Sequence, residues 1–249
     1  MDLKIKDVAD LFNVSETTIR RWISDGKIPT YRINQLHPDY RFSMAEMENW
    51  VMSHKLAKTN GVSPFCTESQ VKAKEPKVLG GIKQFSLFRA IHKGDVLHIN
   101  GETKEDVIRA TMRKVAKNLH LDAEIITELL LDRERLMPTA LNNGIGVPHT
   151  RDTRRNAHHD VVLVVFPDHP LEYGSLDGKP VHTLFFLFAC DDKRHLHLLA
   201  KIAHLSSQPQ ALEFFQTRPS KESLLAFIKN WESSILQAQE QDALSTHTH

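Results

Sequence analysis

"PTALNNGIGVPHTR", residues 138–151, is the stretch on which the reading of this chain turns. Asn142, Asn143, Gly144 and Gly146 make an easily bent backbone that can come close to another group. Ile145 and Val147 read as a short strand. Pro148 fixes its own φ and biases Val147 toward an extended shape. The result is a His149 held at a strand end, beside exposed backbone N–H groups and the Arg151 guanidinium. That is a setting for a histidine that handles an anion. The chain has 15 histidines, so this local context carries the weight, not the residue type.

Outward from the loop, the pattern is that of an α/β domain. Thr103–Leu119 places Val107, Ile108, Ala110, Val115 and Ala116 at helical spacing, and Asp122–Asp132 looks like a second helix. Val161–Phe166 and His182–Ala189 are solidly apolar and β-rich, which predicts strands covered on both faces. "LEYGSLDGKP" between them reads as turns. Arg194–Ser206 is helical, with Asp191 or Asp192 as its N-cap, and Lys221–Gln239 is another helix, with Ser220 placed to cap it. Helix and strand alternating give the α/β class.

Toward the N-terminus the pattern changes. Residues 55–78 mix Lys, Ser, Thr, Gly and Pro without a period and read as a linker. Before them, Ile5–Phe12 forms a short helix through Ile5, Val8, Ala9 and Phe12. "NVS" at 13–15 is a tight turn, and Ser15 caps the next helix. That helix points Ile19, Trp22 and Ile23 inward and leaves Thr17, Thr18, Arg20 and Arg21 outward, a helix-turn-helix layout. "KIPTYRINQLHPDYRF" holds Tyr31-Arg32 and Tyr40-Arg41 around a turn-rich centre and predicts a hairpin wing. Ser43 and Glu46 make a capping box for a third helix with Met47, Trp50 and Val51. The domain boundaries read as 1–54, a linker at 55–78, a main domain at 79–240 and a disordered tail at 241–249.

Composition narrows the class. The net charge of +1 argues against a protein that coats nucleic acid by bulk charge, and residues 1–58 hold nine Lys/Arg against eight Asp/Glu. Cys66 and Cys190 are far apart, so a reducing compartment and no disulfide framework are expected. There is no signal-peptide pattern and no apolar run near the roughly 18 residues of a membrane helix. A cytoplasmic protein without direct membrane insertion is expected. His158-His159, His195/His197 and His247/His249 lack zinc-site spacing, so no metal is expected.

Two resemblances rest on these residues. "IKDVADLFNVSETTIRRWISDGKIP" and the rest of residues 3–52 resemble the MerR/excisionase-type winged helix-turn-helix family. That implies DNA binding through Thr17, Thr18, Arg20 and Arg21 in the groove and Arg32 or Arg41 near phosphates, with a protein-interaction module as the other reading. "SLFRAIHKGDVLHING", "LLLDRERLMPTALNNGIGVPHTR" and "RHLHLLAKIAHL", in that order, resemble the enzyme IIA domain of the sugar phosphotransferase system, fructose/mannitol class, above all its nitrogen-regulatory branch. This covers about residues 84–232, with Arg133-Glu134, the loop, Pro148-His149, and His195 some 46 residues later. Of the family's usual loop, Thr139, Asn143 and Gly144 are retained and two glycines are lost.

The second resemblance implies a mixed β-sheet flanked by helices, no nucleotide cofactor, and a phosphohistidine carrier protein as donor. It makes His149 the phosphoryl acceptor and His195 its neighbour. The chemistry is consistent with histidine: an unperturbed imidazole pKa of about 6.5 leaves a neutral nucleophile at neutral pH. Positioning and charge stabilisation then suffice, with His195 at a helix start, Arg151 and Asn143 as further donors. A regulatory phosphocarrier follows, coupled to DNA or partner binding and possible as a homodimer. Two alternatives stay open: a transcription regulator whose enzyme IIA-like domain is only a sensor or dimerisation scaffold, and a transport component that passes phosphate to a separate permease.

Overall fold

The computed structural model describes residues 2–12, 14–33, 39–53, 86–150, 159–175 and 177–245, with side chains to residue 235. The chain forms two compact units, one of Met1–Ser86 with Phe227–His249 and one of Leu87–Ala226. The expected linker at 55–78 lies outside the described residues.

In the first unit, β1 (Asp2–Leu3) leads into α1 (Ile5–Phe12) and α2 (Glu16–Ser24). The α1–α2 turn is short because Ser15 caps α2, its Oγ accepting the Thr18 N–H at 3.1 Å. β2 (Tyr31–Arg32) and β3 (Tyr40–Ser43) follow, then α3 (Met44–Ser53). The strands form an antiparallel sheet in the order β1-β3-β2, with Leu3 opposite Phe42 and Arg32 opposite Tyr40. The expected turn of the hairpin wing falls on residues 34–38, outside the described residues. Phe12, Trp22 and Trp50 meet at centroid distances of 5.2–6.2 Å, and the Trp50 indole donates to the Lys27 carbonyl at 2.8 Å. This aromatic cluster welds α1, α2 and α3 together with Val8, Ile19, Phe42 and Met47, all fully or almost fully buried.

The second unit runs α4 (Leu87–Lys93), β4 (Val96–Ile99), α5 (Lys104–Val115), α6 (Ala123–Leu136), β5 (Ile145–Gly146), β6 (Val161–Pro167), β7 (Thr183–Phe188), α7 (Asp192–Leu205) and α8 (Pro209–Gln216), and α9 (Lys221–Ser245) begins in it. Its sheet has the order β4-β6-β7-β5; β4 is parallel to β6, β6 antiparallel to β7, and β5 parallel to β7. The sheet is therefore mixed. β6 and β7 are buried at every position, as two uninterrupted apolar runs require. Alternate residues serve opposite faces. Val161, Leu163, Val165, Leu184, Phe186 and Phe188 join Val107, Ile108, Met112 and Leu130 of α5 and α6 in one core. On the other face β6 packs against α4 and β7 against α7, and Phe185 meets Phe215 of α8 edge-on at 5.4 Å.

Two features of α9 stand beside the expected boundaries. The division between the two compact units falls inside this helix, at 226/227. A 25-residue helix is about 37 Å long and outruns strands of six or seven residues. The helix also continues through Ser245, into the segment expected as a disordered tail. "LQAQEQDAL" is rich in strong helix formers, and propagation from an existing helix is far easier than nucleation. Residues 246–249 lie outside the described residues.

Candidate functional site

The loop of residues 138–147 folds as a narrow hairpin. Leu141 N–H donates to the Ile145 carbonyl at 2.7 Å and Val147 N–H to the Thr139 carbonyl at 2.9 Å. The turn needs two left-handed residues, supplied by Asn143 (φ 65°) and Gly144 (φ 77°). A Cβ on Gly144 would stand 2.5 Å from the His182 ring. The returning arm is β5, and it carries straight on to His149. The Leu187 N–H donates to the Pro148 carbonyl at 3.0 Å, and His149 itself bridges Leu187 in parallel register.

His149 is buried, and its Nδ1 lies 2.6 Å from the Val147 carbonyl. A carbonyl oxygen only accepts, so Nδ1 carries a proton. In the neutral ring this leaves the lone pair, and with it the nucleophilic character, on Nε2.

His195 comes from a different direction. Asp160, just before β6, accepts the Cys190 N–H at 2.9 Å and faces the Arg194 guanidinium at 3.4 Å. Asp191 caps α7 by accepting the Arg194 N–H at 2.9 Å. These two carboxylates fix the end of β7 and the start of α7, and His195 projects from the first turn of that helix. Its ring meets the His149 ring edge-on, centroids 5.1 Å apart. The His195 N–H is already donated to the Asp191 carbonyl, and the Arg194 N–H to the Asp191 side chain. Those two amides are already engaged, so what the helix start presents is its dipole and the His195 imidazole.

The sequence reading noted Arg133, Glu134 and Thr139 in a motif but gave them no role, and it passed over Tyr173. Glu134 is buried and accepts three hydrogen bonds: from the Thr139 N–H at 3.0 Å, from the Thr139 hydroxyl, and from the Tyr173 hydroxyl at 3.0 Å. Burial, then the Glu134 charge, pushes the Tyr173 phenol well above its ordinary value of 10, so it stays a donor. Arg133, also buried, donates to the Met137 carbonyl at 2.8 Å. In the sequence the two sit in a charged last turn, Asp132–Arg135, where polarity alone reads as a solvated helix end; what sets Arg133 and Glu134 apart is their burial, which the pattern does not show.

Two expectations about side-chain placement are corrected. Asn143 does not stand beside His149. Its N–H is donated to Asp177 at 2.7 Å, and its Oδ1 lies 3.5 Å from the Lys179 Nζ. Along β7 the partner of Ile145 is Thr183 and that of His149 is Leu187, a separation of about 13 Å, and Asn143 lies beyond Ile145 at the far end. Thr18 does not face outward. It is buried, and its hydroxyl lies 2.9 Å from the Ser15 hydroxyl, because position 18 shares a helix face with Trp22 four residues on. Arg151 lies outside the described residues.

Of the remaining candidate contacts to nucleic acid, Thr17, Arg20 and Arg21 are exposed on α2. Arg32 is exposed on β2, its guanidinium 5.2 Å from the centre of the Tyr40 ring and donating to the Tyr40 hydroxyl at 3.1 Å. Arg41 is half-buried and paired with Asp39 at 2.6 Å.

Known proteins agree with both regions. The family described as "Phosphoenolpyruvate-dependent sugar phosphotransferase system, EIIA 2" matches residues 91–231, and a helix-turn-helix domain family matches residues 3–55. The nitrogen regulatory protein of Pseudomonas aeruginosa is 30% identical over 136 residues, covering 53% of this chain and 87% of that protein. The nitrogen regulatory protein of Escherichia coli is 28% identical over 141 residues, covering 55% of this chain and 84% of that protein. The crystal structure of nitrogen regulatory protein IIA-Ntr from Neisseria meningitidis aligns with a TM-score of 0.49 at 24% identity, over 58% of this chain and 97% of that one. With more than half its length matched, the chain belongs to the EIIA 2 family of the phosphoenolpyruvate-dependent sugar phosphotransferase system and carries a helix-turn-helix domain.

Proposed function

We propose that this chain is a regulatory phosphocarrier that takes a phosphoryl group onto the Nε2 of His149 from a phosphohistidine carrier protein. The observation that carries the reading is the Nδ1–H bond from His149 to the Val147 carbonyl, with the His195 ring 5.1 Å away. In the transfer, the Nε2 lone pair forms a bond to phosphorus as the donor's N–P bond breaks, and that electron pair returns to the donor imidazole. No proton has to move, because His149 keeps its Nδ1–H. Its ring gains positive character as the new bond forms, and the hydrogen bond to Val147 becomes charge-assisted. His195 donates to a phosphoryl oxygen, aided by the positive end of α7. Arg151 supplies a further cation in this reading. His149 is buried, so its Nε2 must become reachable for the donor to approach.

The family needs no nucleotide cofactor at this site. Among the described residues no helix is long and apolar enough to cross a membrane; a cytoplasmic regulator is the reading that fits. The likeness to nitrogen regulatory proteins supports regulation over sugar transport. The domain at 1–54 binds DNA through Thr17, Arg20, Arg21 and Arg32, as a homodimer on a two-fold site, and the phosphorylation state of the domain at 79–240 modulates it. The scaffold alternative requires no intact phosphoryl site, and the tautomer set at His149 favours the phosphocarrier. The test is incubation with a phosphorylated histidine carrier and mapping of acid-labile, base-stable phosphate. One equivalent on His149 supports the reading; none, under conditions where the donor is competent, leaves the scaffold.

A further inference from the structure

The hydrogen bonds of the buried Glu134 carboxylate go to neither histidine. It accepts from Thr139 N–H, Thr139 hydroxyl and Tyr173 hydroxyl, with all three residues buried. An apolar side chain would fill the end of α6 without the cost of desolvating a charge. What the carboxylate does instead is orient residue 139. The Thr139 carbonyl accepts the Val147 N–H at 2.9 Å, and the Val147 carbonyl accepts the His149 Nδ1–H at 2.6 Å. A continuous run of hydrogen bonds thus leads from Glu134 to the ring. The Lys104 Nζ lies 5.3 Å from the centre of the Tyr173 ring and backs the far end of it. Fully satisfied polar networks of this kind are rigid, and a displacement at one end is transmitted to the other.

We infer that Glu134, with Tyr173 and Thr139, is a positioning residue for phosphoryl acceptance: it holds the Val147 carbonyl where it fixes the tautomer and aim of His149. This rests on the phosphocarrier reading. The group acts through the backbone and touches no phosphoryl oxygen. Removing it therefore leaves the nucleophile in place but lets the ring exchange between Nδ1–H and Nε2–H forms, and only the first is competent.

The experiment uses the full chain and compares wild type with Glu134→Gln, Tyr173→Phe, Thr139→Val and Thr139→Ser. Three quantities are read: folding by thermal melt, the initial rate of phosphate uptake from a phosphorylated histidine carrier, and the His149 tautomer in the unphosphorylated protein by two-dimensional 1H–15N NMR of the ring nitrogens. Folded Glu134→Gln should accept phosphate about tenfold more slowly, the worth of one good hydrogen bond to a charge, and show a mixed tautomer. Tyr173→Phe should lose a smaller factor in the same direction. Thr139→Ser should restore most of what Thr139→Val loses. Folded variants with the wild-type rate and a pure Nδ1–H tautomer overturn the proposal. If Glu134→Gln does not fold, Tyr173→Phe and the Thr139 pair decide by the same criteria. If wild type takes up no phosphate, the phosphocarrier reading fails, and the tautomer alone decides whether the network positions the ring.

Discussion

His149 is tied to the fold on every side that matters: its ring to the Val147 carbonyl, Val147 to Thr139, Thr139 to Glu134, and the preceding Pro148 carbonyl to Leu187. Arg20, Arg21 and Arg32, in the other half of the chain, stand on exposed elements. Arg20 is 4.0 Å from Glu16, an exposed pair worth little, and Arg32 leans on one tyrosine. Under the proposed function, the difference follows from what each site has to do. A nucleophile gains from being held at one angle, because misplacement by a fraction of an ångström costs rate. Groups that meet phosphates gain from reach and exposure, because the attraction is long-ranged and sequence-independent.

The strongest way to break this contrast is at His149, the proposed nucleophile. His149→Ala should abolish acid-labile phosphate while the domain still folds, read by mass mapping and by thermal melt. Phosphate persisting on another histidine would mean that the fixed ring is not the acceptor. Next, His195→Ala should fold and transfer about 10²-fold more slowly, the typical loss for one transition-state donor; stopped-flow or quench kinetics with carrier in excess reads this. Unchanged kinetics would reduce the contrast to one residue.

Stability offers two further handles. Burial, with help from Lys201 and Lys193, lowers the His197 pKa from 6.5 to about 4. A depressed histidine pKa contributes stability that is present above pH 6.5 and lost as pH falls toward 4, because the unfolded chain takes the proton first. The loss at pH 4 is at most about 3 kcal/mol, and His197→Gln should flatten the corresponding part of a pH–denaturation profile. Gly144→Ala adds a Cβ at φ 77° against the His182 ring and should cost about 2 kcal/mol, measured in urea. The smallest effects belong to the exposed half. Arg20→Ala or Arg32→Ala should each lower the salt slope of DNA binding by about one and leave the thermal midpoint unchanged. Gel shifts at low salt, with and without phosphate on the protein, test the binding itself. An absence of sequence-selective binding in both states favours a protein-interaction module, and equal binding in both removes the coupling.

Much of the architecture was legible before any coordinates. β6 and β7 are unbroken apolar runs, and such runs have few structural solutions. The caps at Ser15 and Asp191 sit where a polar side chain precedes an apolar period. The pairing of His149 with His195 came from motif order, since no periodicity brings residues 46 apart together. What local pattern could not give was reach across the hairpin. Asn143 looked close to His149 because six residues is a short stretch of sequence, yet an extended strand turns six residues into a long distance. Thr18 looked outward because it is polar, although its spacing from Trp22 already placed it on the inner face. The Glu134 network was invisible for a related reason: its members come from a helix end, a hairpin arm and a turn, and only tertiary structure assembles them.

The short edge strand β5 has a bearing on solubility. An edge strand normally presents unpaired amides and carbonyls that can recruit a strand from another molecule and begin aggregation. Here the outer side of β5 is already occupied by residues 139–141 of its own hairpin, through Leu141 N–H to Ile145 and Val147 N–H to Thr139. At the next position Pro148 has no N–H to offer. The device that aims a histidine also caps that side of the sheet against strand exchange, so mutations that loosen the 138–147 hairpin should raise the tendency to aggregate along with any loss of transfer rate.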